Sequence, residues 1–219
     1  MRHYFLRKKN SPCLLLLFSG WATDERLYAN FHLPDDCDIC VVSDYVDSYL
    51  DLDGFRSYRS IRLLAWSLGV FMADAVLRDE RLPLVSAVAL NGTISPVHDE
   101  MGIPKDIYEG TSGNLSEASL SKFYRRMCGD ADSLDLLLSS RPDLSVARLR
   151  LALDFVEKLA AESPFLSSGS VFKKVVVGTK DRIFPPSNMI RAWQGFSELL
   201  LIDVPHFDSN LMENLMYGE

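Results

Sequence analysis

The chain has 219 residues, roughly one and a half typical domain lengths. Hydrophobic residues make up 47% and charged residues 24%, enough apolar surface for one sizeable core and too much for a disordered chain. The formal charge of −7 disfavours nucleic-acid binding through a broad basic surface, and four cysteines are too few for a disulfide-stapled scaffold. No run of 18 apolar residues suggests a membrane span, and a cytoplasmic location is expected.

Residues 3–6 read as a first strand and residues 14–18 as a second, a continuous apolar run. Arg7, Lys8 and Lys9 before that run, with Gly20 and Ala22 after it, also resemble the basic start and small-residue exit of a signal peptide. The strand reading is preferred because a strand precedes the basic cluster, and because the loop from Ser19 to Ala22 is needed by the chemistry below. Cys37 and Cys40 form a C-x-x-C that enters a strand at residues 39–42, instead of opening a helix as redox pairs do. Asp44 and Tyr45 follow that strand and could line the site edge, but a turn with a solvated acid is the preferred reading. Residues 61–65 form the next strand. Leu68, Phe71, Met72, Ala75 and Val76 then recur with the spacing of a helix face. Residues 85–90, 175–177 and 199–202 complete the strands. Strands alternating with helices predict an α/β fold, a mainly parallel sheet with helices on both faces.

Residues 94–170 break this rhythm. The stretch opens with Pro96 and Pro104, closes on the Ser/Pro/Gly-rich residues 163–170, and reads as helical between. Residues 1–93 and 171–219 are therefore assigned to the core and 94–170 to a helical lid insertion over the sheet's C-terminal edge, where open α/β sheets bind ligands. Within it, Leu120, Phe123, Tyr124, Met127 and Cys128 share one helical face, and Lys122, Arg125 and Arg126 the opposite one. That basic face reads either as solvated surface or as a docking patch for an acidic partner. Residues 146–160 are apolar on two faces, Leu149, Leu153 and Val156 on one and Leu151, Phe155 and Leu159 on the other, as in a helix covered on both sides.

Between the strand at residues 61–65 and the helix after it stands Ala65-Trp66-Ser67-Leu68-Gly69. It matches G-x-S-x-G with Ala65 for the first glycine, in the strand–turn–helix context of a serine nucleophile elbow. Ser67 also suits a helix N-cap. A serine hydroxyl needs a base, and the base a carboxylate to orient it. Asp181 follows the strand at 175–177, and His206 follows the last strand. Ser67, Asp181 and His206 thus occur in the order Ser, Asp, His, each just past a strand end. Asp203 and Asp208 compete for the carboxylate role but lie too close in the chain to His206. Acyl transfer also needs N–H donors for a developing oxyanion. The backbone N–H of Leu68, after the serine, and of Trp21, in the loop Ser19-Gly20-Trp21-Ala22, are the candidates. Gly20 would admit close approach of substrate and the Trp21 ring would wall the pocket. The alternative is a core tryptophan beside a turn glycine.

These motifs resemble α/β-hydrolases. More narrowly, Phe18-Ser19-Gly20-Trp21, the elbow, Gly178-Thr179-Lys180-Asp181 and Pro205-His206-Phe207 resemble the BioG type of pimeloyl-acyl-carrier-protein methyl ester esterase. So do Asn91-Gly92-Thr93, Gly102-Ile103-Pro104 and Phe123-Tyr124-Arg125-Arg126-Met127. The resemblance implies a serine esterase of biotin synthesis that frees the methyl group of a pimeloyl chain held on acyl carrier protein. It implies Ser67 as nucleophile, His206 as base and Asp181 as its orienting acid, with Gly20, Trp21, Phe123, Arg125 and Arg126 at the substrate. No metal or organic cofactor, nucleic acid or membrane is implied. The rival readings are a hydrolase acting on another ester or thioester, and a non-catalytic binding module.

Overall fold

The computed structural model describes residues 1–162, 169–195 and 198–218. Seven strands form one sheet: β1 (Arg2–Arg7), β2 (Cys13–Phe18), β3 (Asp38–Ser43), β4 (Ser60–Trp66), β5 (Leu84–Leu90), β6 (Lys174–Gly178) and β7 (Glu198–Ile202). Their order is β1-β3-β2-β4-β5-β6-β7. β1 runs antiparallel to β3 and every other pairing is parallel. β2 lies inside the sheet, between β3 and β4, with Leu14 to Phe18 at most 1% exposed, which explains why its sequence is apolar without alternation. The strand reading of residues 14–18 therefore holds. β1 and β7, at the two edges, are more exposed.

Short helices α1 (Glu25–Tyr28) and α2 (Asp53–Arg56) precede α3 (Leu68–Leu77). Among the described residues, four helices occupy the stretch between β5 and β6: α4 (Lys105–Gly113), α5 (Glu117–Met127), α6 (Ala131–Ser139) and α7 (Val146–Glu162). α8 (Pro186–Trp193) and α9 (Ser209–Tyr217) follow β6 and β7. Residues 163–168 of the predicted closing stretch lie outside the described residues. Side chains at both α5 termini obey simple chemistry: Ser116 and Ser119 form a capping box, and Arg125 and Arg126 stand in the last turn, where the helix dipole favours cations.

The inserted helices are tied to loops that leave the strands. The Trp21 indole donates to the Leu149 carbonyl at 2.9 Å and the Tyr124 hydroxyl to the Ala22 carbonyl at 2.5 Å. The Phe207 N–H donates to the Met127 carbonyl at 2.9 Å. Two expectations are corrected here. Asp44 is no solvated acid: its side chain is 3% exposed and takes a forked bond from Arg148 of α7, at 2.8–3.1 Å. The second apolar stripe of α7 is not covered throughout: Leu149, Leu153 and Val156 are buried, but Leu151 is 57% exposed, because only one face meets the other helices and loops.

Candidate active site

The site begins with backbone strain. Ser67 has φ 60° and ψ −130°, a conformation that L-residues rarely adopt. It follows β4 and precedes α3, and its side chain makes no cap to that helix, so the elbow reading replaces the cap. Such a turn demands close approach. A Cβ on Gly69 would stand 2.4 Å from the Phe18 carbonyl oxygen, and one on Gly92 would stand 2.3 Å from that of Ser67. Ala65, at the first elbow position, is completely buried and small enough for that place.

The three predicted side chains meet. His206 Nε2 lies 3.0 Å from Ser67 Oγ, and His206 Nδ1 lies 2.7 Å from Asp181 Oδ2. His206 is completely buried; Asp181 is 6% and Ser67 4% exposed. Asp181 Oδ1 is occupied by the backbone N–H groups of Ile183 and Phe184, at 2.7 and 2.9 Å, which leaves Oδ2 for the imidazole. Phe184 stacks on His206 at 6.1 Å and 9°, and Trp66 packs against it at 5.4 Å. The rival acids are engaged elsewhere. Asp203 pairs with Lys180 at 2.7 Å, and Asp208 caps α9.

Some supporting contacts could not be read from the sequence, where Asn91 figures only as part of a motif. Asn91, at φ 46°, accepts from the Gly178 N–H at 2.6 Å and donates to the carbonyls of Pro205 and His206 at 3.1 and 2.9 Å. One side chain thus joins the ends of β5 and β6 to the histidine loop. Asn-Gly is a turn signal with a tolerance for positive φ, and was the available clue.

A cleft opens on Ser67. Trp21, Leu68, Ile103, Tyr108, Phe123 and Leu153 are among its walls, and Arg126 stands at its rim. It adjoins a second groove that shares Ile107, Thr111, Phe123 and Arg126 and reaches Lys122. Trp21 and Phe123 meet edge to face at 4.9 Å. Leu68 is the first residue of α3, and the first N–H groups of a helix have no acceptor within it. Two residues behave differently from expectation. Gly20 lines neither groove; a Cβ there would stand 2.8 Å from the Trp66 ring, so glycine makes room for that indole. Arg125 is exposed and lines neither groove, whereas Arg126 lines both and donates to the Arg182 carbonyl at 2.8 Å. Among the described residues, no group of three or more His, Cys, Asp and Glu is placed to hold a metal ion, and no helix is long and apolar enough to cross a membrane.

The sheet order and elbow define the chain as an α/β-hydrolase, a fold it shares with an enol-lactonase from Burkholderia xenovorans at TM-score 0.71, 12% identity, covering 99% of this chain and 94% of that one. The family described as pimeloyl-ACP methyl esterase BioG matches residues 1–214, and the chain belongs to that family. The crystal structure of BioG from Haemophilus influenzae superposes with a TM-score of 0.87 at 32% identity, covering 97% of each chain. A Bacteroides fragilis protein named malonyl-[acyl-carrier protein] O-methyltransferase is 39% identical over 203 residues. That match takes in 92% of this chain but only 41% of the relative, so the chain spans less than half that protein's length.

Proposed function

We propose that the protein hydrolyses the methyl ester of pimeloyl-acyl-carrier protein in biotin synthesis. The observation that carries the reading is the hydrogen-bonded series Ser67–His206–Asp181 at the floor of an apolar cleft, in a chain of the BioG family.

Ser67 Oγ attacks the ester carbonyl carbon as His206 Nε2 takes its proton. Asp181 holds the imidazole by Nδ1 and stabilises the imidazolium that forms. The oxyanion is received by the backbone N–H groups of Leu68 and Trp21. The tetrahedral intermediate collapses, the C–O bond to the methyl group's oxygen breaks, and His206 returns the proton, releasing methanol. Water then attacks the acyl-Ser67 carbonyl while His206 takes a proton from it. The second collapse frees the carboxylate and restores Ser67. Each step uses only this chain's groups and water.

The apolar walls suit a methylene chain, and the second groove continues outward from them toward Lys122. In this reading helices α4–α7 act as a lid, within an insertion assigned to residues 94–170 between core segments 1–93 and 171–219. Phe123 and Trp21 flank the acyl chain. Arg126 meets the substrate's arm at the cleft rim, and exposed Arg125 steers the acidic carrier. Such a reaction belongs in the cytoplasm, where carrier-bound acyl chains are built. The methyltransferase named for the B. fragilis relative makes a carrier-bound methyl ester, the bond that this site would break later.

The test is hydrolysis of pimeloyl-acyl-carrier-protein methyl ester by wild type and Ser67→Ala, with a small aryl ester beside it. Loss of the methyl group by wild type alone supports the reading. Cleavage of the aryl ester only would discard the substrate and keep the hydrolase. No turnover of either, with no fluorophosphonate labelling at Ser67, would leave a binding module.

A further inference from the structure

The loop proposed to supply the Trp21 N–H is backed by buried hydroxyl groups that the reaction above does not use. Tyr28 is 2%, Ser19 0% and Thr23 5% exposed. The Thr23 hydroxyl lies 2.8 Å from the Gly20 carbonyl oxygen, which also accepts the Thr23 N–H at 3.3 Å. Thr23 Oγ1 and Ser19 Oγ are 2.6 Å apart, and the Tyr28 hydroxyl is 3.1 Å from Ser19 Oγ.

Proton counting gives this chain one direction. A carbonyl oxygen can only accept, so the single hydroxyl proton of Thr23 is committed to Gly20. Ser19 must then donate to Thr23, and Tyr28 to Ser19. Burial raises the Tyr28 pKa above the ordinary tyrosine value, with the Ser19 contact opposing, so its proton stays in place as the head of the series. The series ends on the carbonyl of the Gly20–Trp21 peptide. That bond is trans, so its N–H points opposite to its C=O. Donors that draw electron density toward the oxygen make the N–H on the other side a stronger donor, and hydrogen bonds in series reinforce one another. The same bonds fix the plane of the peptide. Ala22, at φ 62° in the turn from Gly20 to Thr23, is held in that conformation by Tyr124 through its carbonyl.

We infer that Tyr28, Ser19 and Thr23 are positioning residues for the oxyanion site, a one-way series of hydroxyl groups that orients and polarises the Gly20–Trp21 peptide so that the Trp21 N–H meets the developing charge. The inference rests on the oxyanion role given to Trp21 above. Tyr45 provides an internal contrast. Its hydroxyl also donates into this loop, to the Ser19 carbonyl at 2.6 Å, but that carbonyl belongs to a different peptide unit.

The experiment measures kcat and KM on the aryl ester, affinity for a trifluoromethyl ketone that forms an oxyanion on Ser67, and the melting temperature. Thr23→Val should lower kcat about tenfold, short of the ~10²-fold or greater loss when an oxyanion donor is removed outright, with KM nearly unchanged. Ketone affinity should fall by the same factor, and Thr23→Ser should restore both. Ser19→Ala, one link further away, should lower kcat about threefold. Tyr45→Phe should lower the melting temperature and leave kcat alone. Unchanged kcat in Thr23→Val, a loss confined to KM, or an equal kcat loss in Tyr45→Phe would overturn the inference. If Thr23→Val does not fold, unchanged kcat in Ser19→Ala does so. Wild type that cleaves the aryl ester but not the carrier-bound ester fails the substrate reading while this measurement stands. Wild type that cleaves neither fails both.

Discussion

The indole Nε1 of Trp66 donates to the main-chain carbonyl of His206 at 2.9 Å. The residue immediately before the elbow serine therefore holds the loop of the histidine that faces that serine. The same carbonyl accepts from Asn91 Nδ2 at 2.9 Å, so it is satisfied twice. Trp66→Phe removes one donor without orphaning the acceptor and leaves a cavity where the buried indole's second ring packed. It should destabilise by about 2–4 kcal/mol, the bond and the cavity together. The looser imidazole should lower kcat about threefold, by the same logic that makes small misplacements of a catalytic group expensive. Urea unfolding and ester turnover check the two effects; wild-type kcat would show that Asn91 alone suffices.

Gly92 sits beneath the elbow. A Cβ there would meet the Ser67 carbonyl oxygen at 2.3 Å and Val70 Cγ2 at 2.8 Å. Backbone must move in Gly92→Ala, and the backbone nearest is that of Ser67. We expect a stability loss of about 1–3 kcal/mol, ordinary for overpacking. Turnover should fall by about 100-fold, out of proportion to stability, because the serine is displaced. Denaturation and hydrolysis on the same preparation decide it; a loss of stability with kcat retained would place the strain elsewhere.

Two buried aspartates should respond to pH with opposite signs. For Asp38, burial opposes the charge but is outweighed by bonds from the Lys9 N–H, the Tyr58 hydroxyl and the Ser11 N–H, so its pKa is lowered. Its stabilisation is present above the unfolded value near 3.8 and is lost as pH falls through the folded one. For Asp24, burial prevails over the bond from the Arg26 N–H and raises the pKa, and Oδ2 has no hydrogen-bond partner. Ionising it costs stability as pH rises through the raised value. Asp38→Asn should thus be destabilised at pH 7 and approach wild type in acid. Asp24→Asn keeps an N-cap acceptor and should be at least as stable as wild type at pH 7, with the advantage fading as pH falls through the raised value. Denaturant midpoints between acid and neutral pH give the signs directly.

Arg125 should matter for the carrier and not for the bond cleaved. It is exposed, whereas its neighbour Arg126 bonds to Arg182 at the cleft rim. Reversing it in Arg125→Glu should lower kcat/KM on the carrier-bound ester at low salt by about tenfold, as for charges that steer association. The salt dependence of that constant should flatten, since the attraction being screened has gone. An unchanged salt slope would remove Arg125 from the docking surface.

Much of this site could be read from residue order. The continuous apolar run of β2, the alternation of strands with helices, and a small–x–Ser–x–Gly turn between β4 and α3 are local patterns. Local patterns suffice where the backbone itself demands a residue type. Ser67, Asp181 and His206 were legible because parallel strands place all their exits on one edge. Asn91 and Trp66 were not, since a side chain's reach to a loop more than a hundred residues away leaves no periodicity.

The sequence by itself determined the fold class, the order of Ser67, Asp181 and His206 past the strand ends, and the amphipathic face of α5. Each follows from chain order or from the period of one element. Tertiary structure decided what those elements touch. It gave Gly20 to the Trp66 ring instead of the cleft, buried Asp44 under Arg148, and left Leu151 exposed on α7. It also divided Arg125 from Arg126, adjacent on one helix, between open surface and cleft rim. These outcomes depend on which distant surface arrives against a residue, and packing between elements far apart in the chain settles that.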